Sequence, residues 1–178
     1  MSSLQFLSFI AGTLFIIWFS WWASIKEKRF HGIYRFFAFE SILLMTIQNL
    51  ALWFHDPFSI VQIISWMLLL LSIYLALFGF YHLVERGKPK GKFENTSLLV
   101  ITGLYKYIRH PLYCSLLLLG TGIWLKNPAN YLSYIPALIN LIALYFTARE
   151  EENEMKKRFG SEYLNYCRKS KMFIPFIF

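Results

Sequence analysis

The sequence predicts an all-α integral membrane protein with about five transmembrane helices and a cytoplasmic, amphipathic C-terminal helical segment. Three observations predict this class. Hydrophobic residues make up 57% of the 178 residues and charged residues only 16%, whereas soluble domains are nearer half apolar and a quarter charged. The apolar residues form runs long enough to cross a bilayer. Of the 18 Lys and Arg residues, 17 fall on one side of the predicted crossings.

Five apolar runs are the candidate spans. Residues 4–25 contain 22 residues without a charge, and at ~1.5 Å per residue they extend ~33 Å against a hydrocarbon core of ~30 Å. The other runs are residues 36–54, 58–83, 111–125 and 131–148. The last two are short for a straight crossing, and the turn signal at 126–130 indicates a tight hairpin between them. Inside the second span, Glu40 is a functional candidate because ionisable residues in a bilayer are costly.

The basic residues set the predicted orientation. They follow the first span, separate the third span from the fourth and fill the tail, whereas Lys126 stands alone on the opposite side. The positive-inside rule therefore places the N-terminus outside and the C-terminus in the cytoplasm. The net charge of +8 marks a face against anionic membrane lipids, so no nucleic-acid partner is needed to explain it. Two cysteines and four scattered histidines give no disulfide framework and no metal-ligand cluster.

The stretch Thr102–Tyr113 (TGLYKYIRHPLY), which follows a basic loop and leads into the fourth span, is the first candidate site. Gly103 permits a tight turn, and Pro111 suits the first turn of a helix, where its missing N–H removes no intrahelical bond. The proline pushes His110 away from helical backbone geometry. We therefore expect Arg109 and His110 at a bend, with side chains facing water, where the chain enters the membrane.

The charged run at 149–160 (REEENEMKKRFG) is the second candidate site. Its apolar residues share one helical face and its charges form i,i+4 pairs on the other, which is typical of an amphipathic helix leaving the membrane. A second amphipathic helix is predicted at 161–167. Glu151 and Glu152 stand about one turn past the last span, where carboxylates can bind ribose hydroxyls or a ligand cation. We expect this acidic pair and the bend to meet in one pocket at the same leaflet.

Together the motifs resemble the isoprenylcysteine carboxyl methyltransferase and phospholipid methyltransferase families of integral membrane enzymes. The resemblance covers residues 88–176 and is carried by TGLYKYIRHPLY, the basic loop before it, the Asn127-Pro128 hairpin and the tail EEENEMKKRFGSEYLNY with its later IPF. It implies that S-adenosylmethionine binds at the cytoplasmic face and that its methyl group goes to a lipophilic acceptor from the bilayer. The first acceptor it implies is the carboxylate of a prenylated cysteine or a similar lipid-like molecule.

The resemblance also implies the site residues. The adenosine pocket would be formed by Ser97, Leu98, Leu99, Val100 and Tyr105. The methionine part would contact His110, Pro111, Leu112 and Tyr113. Glu151 and Glu152 would close the site. The family's place for an arginine that faces the acceptor's carboxylate holds Thr147, and Arg149 stands two residues on, about 200° around the helix. The small residue that usually follows RHPxY by one is Ser115 here. The catalytic candidates are Arg149, His110 and Tyr113.

We interpret residues 1–178 as a single membrane domain, with an acceptor-side half at 1–85 and a cofactor-binding half at 86–178. A carboxylate acceptor is ionised at neutral pH and needs no base, whereas an amine or thiol needs one, for which His110, Tyr113 or Glu40 is available. The alternatives are a phospholipid amine or thiol methyltransferase, a sterol-reductase-like NADPH enzyme with a similar RHP turn, and a non-catalytic membrane scaffold. Membrane lipids and the acceptor are the expected partners, and no oligomeric state is predicted.

Overall fold

The computed structural model describes residues 2–89 and 96–177, and within these ranges the chain is helical and contains no β-strand. Five long helices follow one another: α1 Ser3–Ala23, α2 His31–Asn49, α3 Ile60–Gly87, α4 Pro111–Trp124 and α5 Tyr134–Lys169. Short 3-10 turns connect them at Ile25–Glu27, Leu50–Leu52, Gly103–Lys106 and Tyr131–Ser133. The predicted all-α class is confirmed. Of the basic loop predicted at 85–95, residues 90–95 lie outside the described residues.

Among the described residues, four helical segments are long and apolar enough to cross a membrane: Ser3–Glu27, His31–Leu52, Ile60–Gly87 and Tyr131–Lys169. The remaining apolar helix, α4, has 14 residues and is therefore only ~21 Å long, less than a hydrocarbon core of ~30 Å. The structure thus contains four full-length candidates and one short helix where the sequence predicts five crossings. The orientation of the termini remains a prediction from the charge distribution.

The outer surface of the helices is apolar. Large side chains such as Leu7 and Leu14 of α1 and Leu70 and Leu77 of α3 are exposed. A helix that is hydrophobic on its outer as well as its inner side is suited to lipid and not to water. This surface supports the membrane assignment independently of segment length.

Polar groups join the helices inside the bundle. Ser65 Oγ on α3 donates to the Gly122 carbonyl on α4 at 2.7 Å, and Asn140 Nδ2 on α5 donates to the Ala38 carbonyl on α2 at 3.2 Å. A Cβ on Gly122 would lie 3.0 Å from Leu69 Cγ, so its missing side chain lets α3 and α4 approach closely. Small residues and interhelical hydrogen bonds supply association that the hydrophobic effect cannot supply within lipid.

Helix α2 begins at His31, whereas the hydropathy pattern predicts its span from residue 36. The difference arises because two polar side chains in the first turns are buried within the protein. His31 Nδ1 lies 3.0 Å from Glu154 Oε1, and Arg35 Nη2 donates to Ser24 Oγ at 2.8 Å. A hydropathy profile assigns such residues to a loop because it depends only on the local sequence and contains no information about partners elsewhere in the chain.

Helix α5 continues well past the membrane-spanning run predicted to end at residue 148. Its backbone kinks at Gly160, which has φ 53° and ψ −125°. The second amphipathic helix predicted at 161–167 corresponds to the part of α5 beyond this kink. After α5 the chain turns back, and Met172 and Phe173 are buried against the bundle.

Candidate functional site

The predicted bend between the third and fourth apolar runs is confirmed. Gly103 has φ +62° and starts a 3-10 turn, and a side chain at this position would collide with the imidazole of His82. His110 has the non-helical angles φ −124° and ψ 62°, and Pro111 is the first residue of α4. The proline therefore fixes the point at which the chain changes from bend to helix.

The expectation that Arg109 and His110 face water is wrong. His110 is only 6% exposed, and the Arg109 side chain is 12% exposed. The returning C-terminal segment covers them: the Arg109 N–H donates to the Lys171 carbonyl at 2.7 Å and the His110 N–H to the Met172 carbonyl at 3.2 Å. This cover, which joins distant parts of the sequence, removes the bend from solvent.

The bend and the acidic pair of α5 meet, as the sequence predicts. Arg109 Nε lies 2.7 Å from Glu152 Oε1. His110 lies between both carboxylates, with Nδ1 3.5 Å from Glu151 Oε2 and Nε2 3.5 Å from Glu152 Oε1. The two histidine distances are at the long limit for a hydrogen bond, so these pairings are mainly attractions between charges.

The charges in this cluster lie beyond the apolar part of α5 and stabilise one another. Burial raises the pKa of Glu152, but His110 and Arg109 lower it by more than burial raises it, so the pKa is about 2. Burial likewise opposes ionisation of Glu151, yet His110 holds the pKa of that carboxyl well below its usual range. Burial lowers the pKa of His110, and the two carboxylates more than reverse this, so its pKa is raised. Both carboxylates are therefore ionised at neutral pH, beside an imidazole that favours its protonated form.

A cavity of about 270 Å³ adjoins the cluster, near the lower end of the ~300–1,000 Å³ common for ligand sites. Eight of the predicted cofactor-binding residues line it: Leu99, Val100, Tyr105, His110, Pro111, Leu112, Tyr113 and Glu151. Three do not. Glu152 is 3% exposed and contacts the lining residues Arg109 and His110. Ser97 and Leu98 lie outside the lining, and Leu98 is 50% exposed.

Two further candidates also lie outside the cavity lining. The Arg149 side chain is 51% exposed, and its Nη1 is 3.9 Å from Glu152 Oε2, so it does not face the cavity as expected of a catalytic residue. The reason is helical rotation, because Thr147 occupies the inward face and is fully buried. Glu40 Oε2 accepts a hydrogen bond from Thr13 Oγ1 at 3.1 Å, which joins α2 to α1.

The N-terminal helices contribute to the cavity, which the sequence does not predict. Phe19 of α1 and Arg35 and Phe39 of α2 line the cavity, with the Arg35 guanidinium carbon 5.7 Å and 5.8 Å from the two ring centroids. The signal for the α2 residues was their i,i+4 spacing, which is visible once the helix is extended back to His31. The basic residues that precede Arg35 in the sequence favour a loop at this position.

Aromatic residues form much of the remaining wall. The rings of His110 and Tyr113 stack with centroids 5.4 Å apart. The Tyr166 hydroxyl donates to the Tyr105 carbonyl at 2.6 Å, which ties the tail to the bend. The Tyr163 hydroxyl is buried and has no hydrogen-bond partner among the described residues. The cavity thus combines aromatic surface and charge.

Known proteins that the chain resembles are methyltransferases by name. The family model described as phospholipid methyltransferase matches residues 60–162. The protein-S-isoprenylcysteine O-methyltransferase of Saccharomyces cerevisiae is 32% identical over 109 residues, which is 60% of this chain and 43% of the relative. The human enzyme of the same name is 33% identical over 103 residues, which is 56% of this chain and 33% of the relative.

A relative with a different name aligns over more of the chain. Methanethiol S-methyltransferase of Crocosphaera subtropica is 26% identical over 174 residues, which is 89% of this chain and 66% of the relative. By contrast, the chain spans less than half the length of the yeast and human relatives that it matches. Residues 60–162 include the bend, the cavity-lining part of α4 and the acidic pair.

Proposed function

Because the chain belongs to the phospholipid methyltransferase family, we propose that it is a membrane methyltransferase that takes its methyl group from S-adenosylmethionine. The observation that carries this proposal is the single cavity lined by the bend residue His110, the Glu151 carboxylate and aromatic residues of the N-terminal helices. Such a cavity holds polar groups for a nucleoside-type ligand beside an apolar wall for a lipophilic molecule.

The lining residues fit S-adenosylmethionine in kind. The ionised Glu151 suits a positively charged ligand group, and the rings of Tyr105 and Tyr113 suit an adenine. When bound, this cofactor supplies an electrophilic methyl group on a positively charged sulfur.

The residues of this chain act mainly by alignment and by excluding water. The Arg109–Glu152 pair joins the bend to α5 at the cavity wall, next to the stacked rings of His110 and Tyr113. Holding two reactants in a productive geometry can contribute ~7–11 kcal/mol to a rate enhancement. A carboxylate acceptor needs no base. A thiol must first lose its proton, and His110, the histidine in the cavity lining, is a poor base for this because the two carboxylates favour its protonated form.

We take the acceptor to be a lipophilic molecule that enters from the bilayer, with the carboxylate of a prenylated cysteine or a similar lipid as the first choice. The names of the yeast and human relatives support this choice. We infer that the reaction takes place at the cytoplasmic face, because 17 of the 18 Lys and Arg residues fall on one side of the spans and basic residues are enriched on the cytoplasmic side.

A thiol is the second candidate acceptor. The share of the chain that each alignment covers favours it. The alignment with methanethiol S-methyltransferase covers 89% of this chain, whereas the alignment with the yeast isoprenylcysteine enzyme covers 60%. The larger alignment takes in much of the N-terminal half, which contributes Phe19, Arg35 and Phe39 to the cavity.

The test of the cofactor is the binding of S-adenosylhomocysteine to purified protein, measured by isothermal titration calorimetry. We expect Glu151→Gln to weaken binding by about 10- to 100-fold, because a charge-assisted contact contributes ~1.5–3 kcal/mol. Glu150→Gln is the matched control, because Glu150 is on the same helix but outside the cavity lining. Absence of wild-type binding at millimolar ligand would reject the proposal, and thermal protection by NADPH instead would favour a sterol-reductase-like enzyme.

The test of the acceptor is incubation of membranes that contain the protein with methyl-labelled S-adenosylmethionine. Label in prenylated protein or peptide supports the first choice, and label in a small volatile or extractable thioether supports the second. Label found only in phospholipid head groups would contradict both.

A further inference from the structure

A second cavity, of about 480 Å³, lies beside the first and is within the ~300–1,000 Å³ common for ligand sites. Its walls come from the segment before the bend, from the bend itself and from the part of α5 beyond the Gly160 kink. Leu99 and Tyr166 line both cavities, so these two side chains lie between them. The hydrogen bond from the Tyr166 hydroxyl to the Tyr105 carbonyl holds this partition in place. The second cavity is therefore separate from the candidate site for methyl transfer.

The polar lining of the second cavity carries a positive charge. Glu162, Asn165 and Lys169 share one face of α5, at positions i, i+3 and i+7. Lys106 joins them from the bend, where its Nζ lies 5.6 Å from the centre of the Tyr107 ring. Within the described part of the chain neither lysine forms an ion pair. Two lysines and one glutamate thus give the lining a net charge of +1.

The rest of the lining is largely apolar and continues onto the surface of the protein. Ile101 and Phe176 line the cavity and are exposed, Phe176 by 82%. Ile174 and Ile177, close to Phe176 in the chain, are exposed as well. Large exposed apolar side chains beside lysines are typical of the layer in which lipid head groups meet the hydrocarbon. The second cavity therefore lies where the protein passes from lipid into water.

We propose that the second cavity binds an anionic phospholipid, with its phosphate at the two lysines and its acyl chains along the exposed apolar side chains. The phosphate diester carries one negative charge, which the net charge of the lining offsets. Glu162 and Asn165 can accept hydrogen bonds from head-group hydroxyls such as those of phosphatidylglycerol. The positive-inside rule places this end of the helices at the cytoplasmic leaflet, whose surface is negative because of its anionic lipids.

A lipid in this cavity contacts the segment that covers the bend. The Lys171 N–H donates to the Tyr107 carbonyl at 3.0 Å, and the ring centroids of Tyr107 and Phe176 are 6.1 Å apart. The rim of the cavity is thus formed in part by the returning C-terminal segment. Because the lipid binds only when bend and tail are folded together, it should raise Tm in proportion to its occupancy.

The experiment titrates dioctanoyl phosphatidylglycerol, below the concentration at which it forms its own micelles, into purified protein in an uncharged detergent. Binding is measured by microscale thermophoresis and stabilisation by thermal unfolding. Dioctanoyl phosphatidylcholine has the same chains without net charge, and glycerol phosphate has the charge without chains. These two ligands separate charge recognition from chain binding.

The test variant is Lys106→Gln/Lys169→Gln, and the matched control is Lys157→Gln/Arg168→Gln. The control removes the same charge from exposed positions of α5 outside both cavities. We expect the test variant to weaken phosphatidylglycerol binding about 30-fold, because each lysine beside an anionic lipid contributes about fivefold. The control should stay within about threefold of the wild type. Each lysine variant alone should lose about fivefold, and S-adenosylhomocysteine affinity should stay within about twofold in every variant.

Four results would overturn the inference. Equal weakening in the two double variants would show that net charge alone attracts the lipid. Equal affinity of the wild type for phosphatidylglycerol and phosphatidylcholine would remove charge recognition, and glycerol phosphate binding as tightly as the lipid would identify a soluble phosphate as the ligand. Loss of S-adenosylhomocysteine binding in the test variant would assign the second cavity to the cofactor. A wild type that binds the lipid but not S-adenosylhomocysteine would reject the proposed function and support this inference.

Discussion

Replacing Arg109 by methionine tests whether the buried ion pair supports the site. Arg109 Nε is 2.7 Å from Glu152 Oε1, and the two side chains are only 12% and 4% exposed. Arg109 Nη1 also donates to the Ser170 carbonyl. Removing one partner of a buried pair typically costs ~3–5 kcal/mol, and we expect the lower end of this range because Glu152 keeps its longer contacts with His110 at 3.5 Å and Arg149 at 3.9 Å. For a chain of this size, ~3 kcal/mol corresponds to a fall in Tm of roughly 6–12 °C.

The assay is thermal unfolding of purified protein, followed by tryptophan fluorescence, and the chain provides its own control. Arg86 Nε lies 3.4 Å from Glu85 Oε2, but these side chains are 62% and 43% exposed. Exposed pairs contribute at most ~1 kcal/mol, so Arg86→Met should leave Tm within about 3 °C of the wild type. The two arginines thus differ in burial, in ion-pair distance and in the hydrogen bond that Arg109 donates to the Ser170 carbonyl.

The double variant Arg109→Met/Glu152→Gln separates the charge effect from lost packing. Glutamine removes the stranded charge, so the double variant should be more stable than Arg109→Met alone, by ~1–3 kcal/mol. If Arg109→Met melts within 2 °C of the wild type, or if the losses of the two single variants simply add, the pair is not an important source of stability and the reasoning is wrong.

Two other perturbations give definite expectations in the same assay. Folding lowers the pKa of Glu152 to about 2, so its ionised form stabilises the fold above pH 4.5, and this contribution is lost as the pH falls towards 2. Folding raises the pKa of His110, so its protonated form stabilises the fold below pH 6.5, and this contribution is lost as the pH rises through the folded-state pKa. Tm should therefore fall at both ends. Glu152→Gln should reduce the fall on the acid side without abolishing it, because the pKa of Glu151 is also lowered; a flat profile for the wild type would contradict this. Gly103→Ala should lower Tm more than Gly160→Ala, because both have positive φ but only the first meets another side chain, His82; equal losses would show that the contact is unimportant.

The sequence was sufficient for the elements whose cause is local. Apolar runs predict the membrane helices because crossing a bilayer requires continuous hydrophobic length. Pro111 predicts the start of α4 because it lacks an N–H and has a fixed φ. The charge distribution predicts that the motifs of His110 and Glu151 lie on the same side of the spans, and the structure adds that the two side chains are in contact.

The residues whose surroundings the sequence does not predict have partners far away in the chain. Arg35 is buried because it contacts Ser24 and two rings, and no local pattern distinguishes such an arginine from one in a basic loop. Arg109 is removed from water by the C-terminal segment at 170–173. Arg149 points outward because Thr147 and Ala148 are packed inside, and a displacement of two residues on a helix reverses the facing direction.

One contact explains how the two halves of the chain contribute to a single cavity. Glu154 Oε1 lies 3.0 Å from His31 Nδ1, and its Oε2 lies 2.9 Å from Arg29 Nε. His31 and Arg35 are four residues apart on α2, whereas Glu151 and Glu154 are three apart on α5, so each pair shares a helical face. Joining His31 to Glu154 therefore brings the facing turns of α2 and α5 together and sets Arg35 and Glu151 in the same cavity wall. The shape of this shared wall thus depends on an ionic contact between two residues that do not line the cavity.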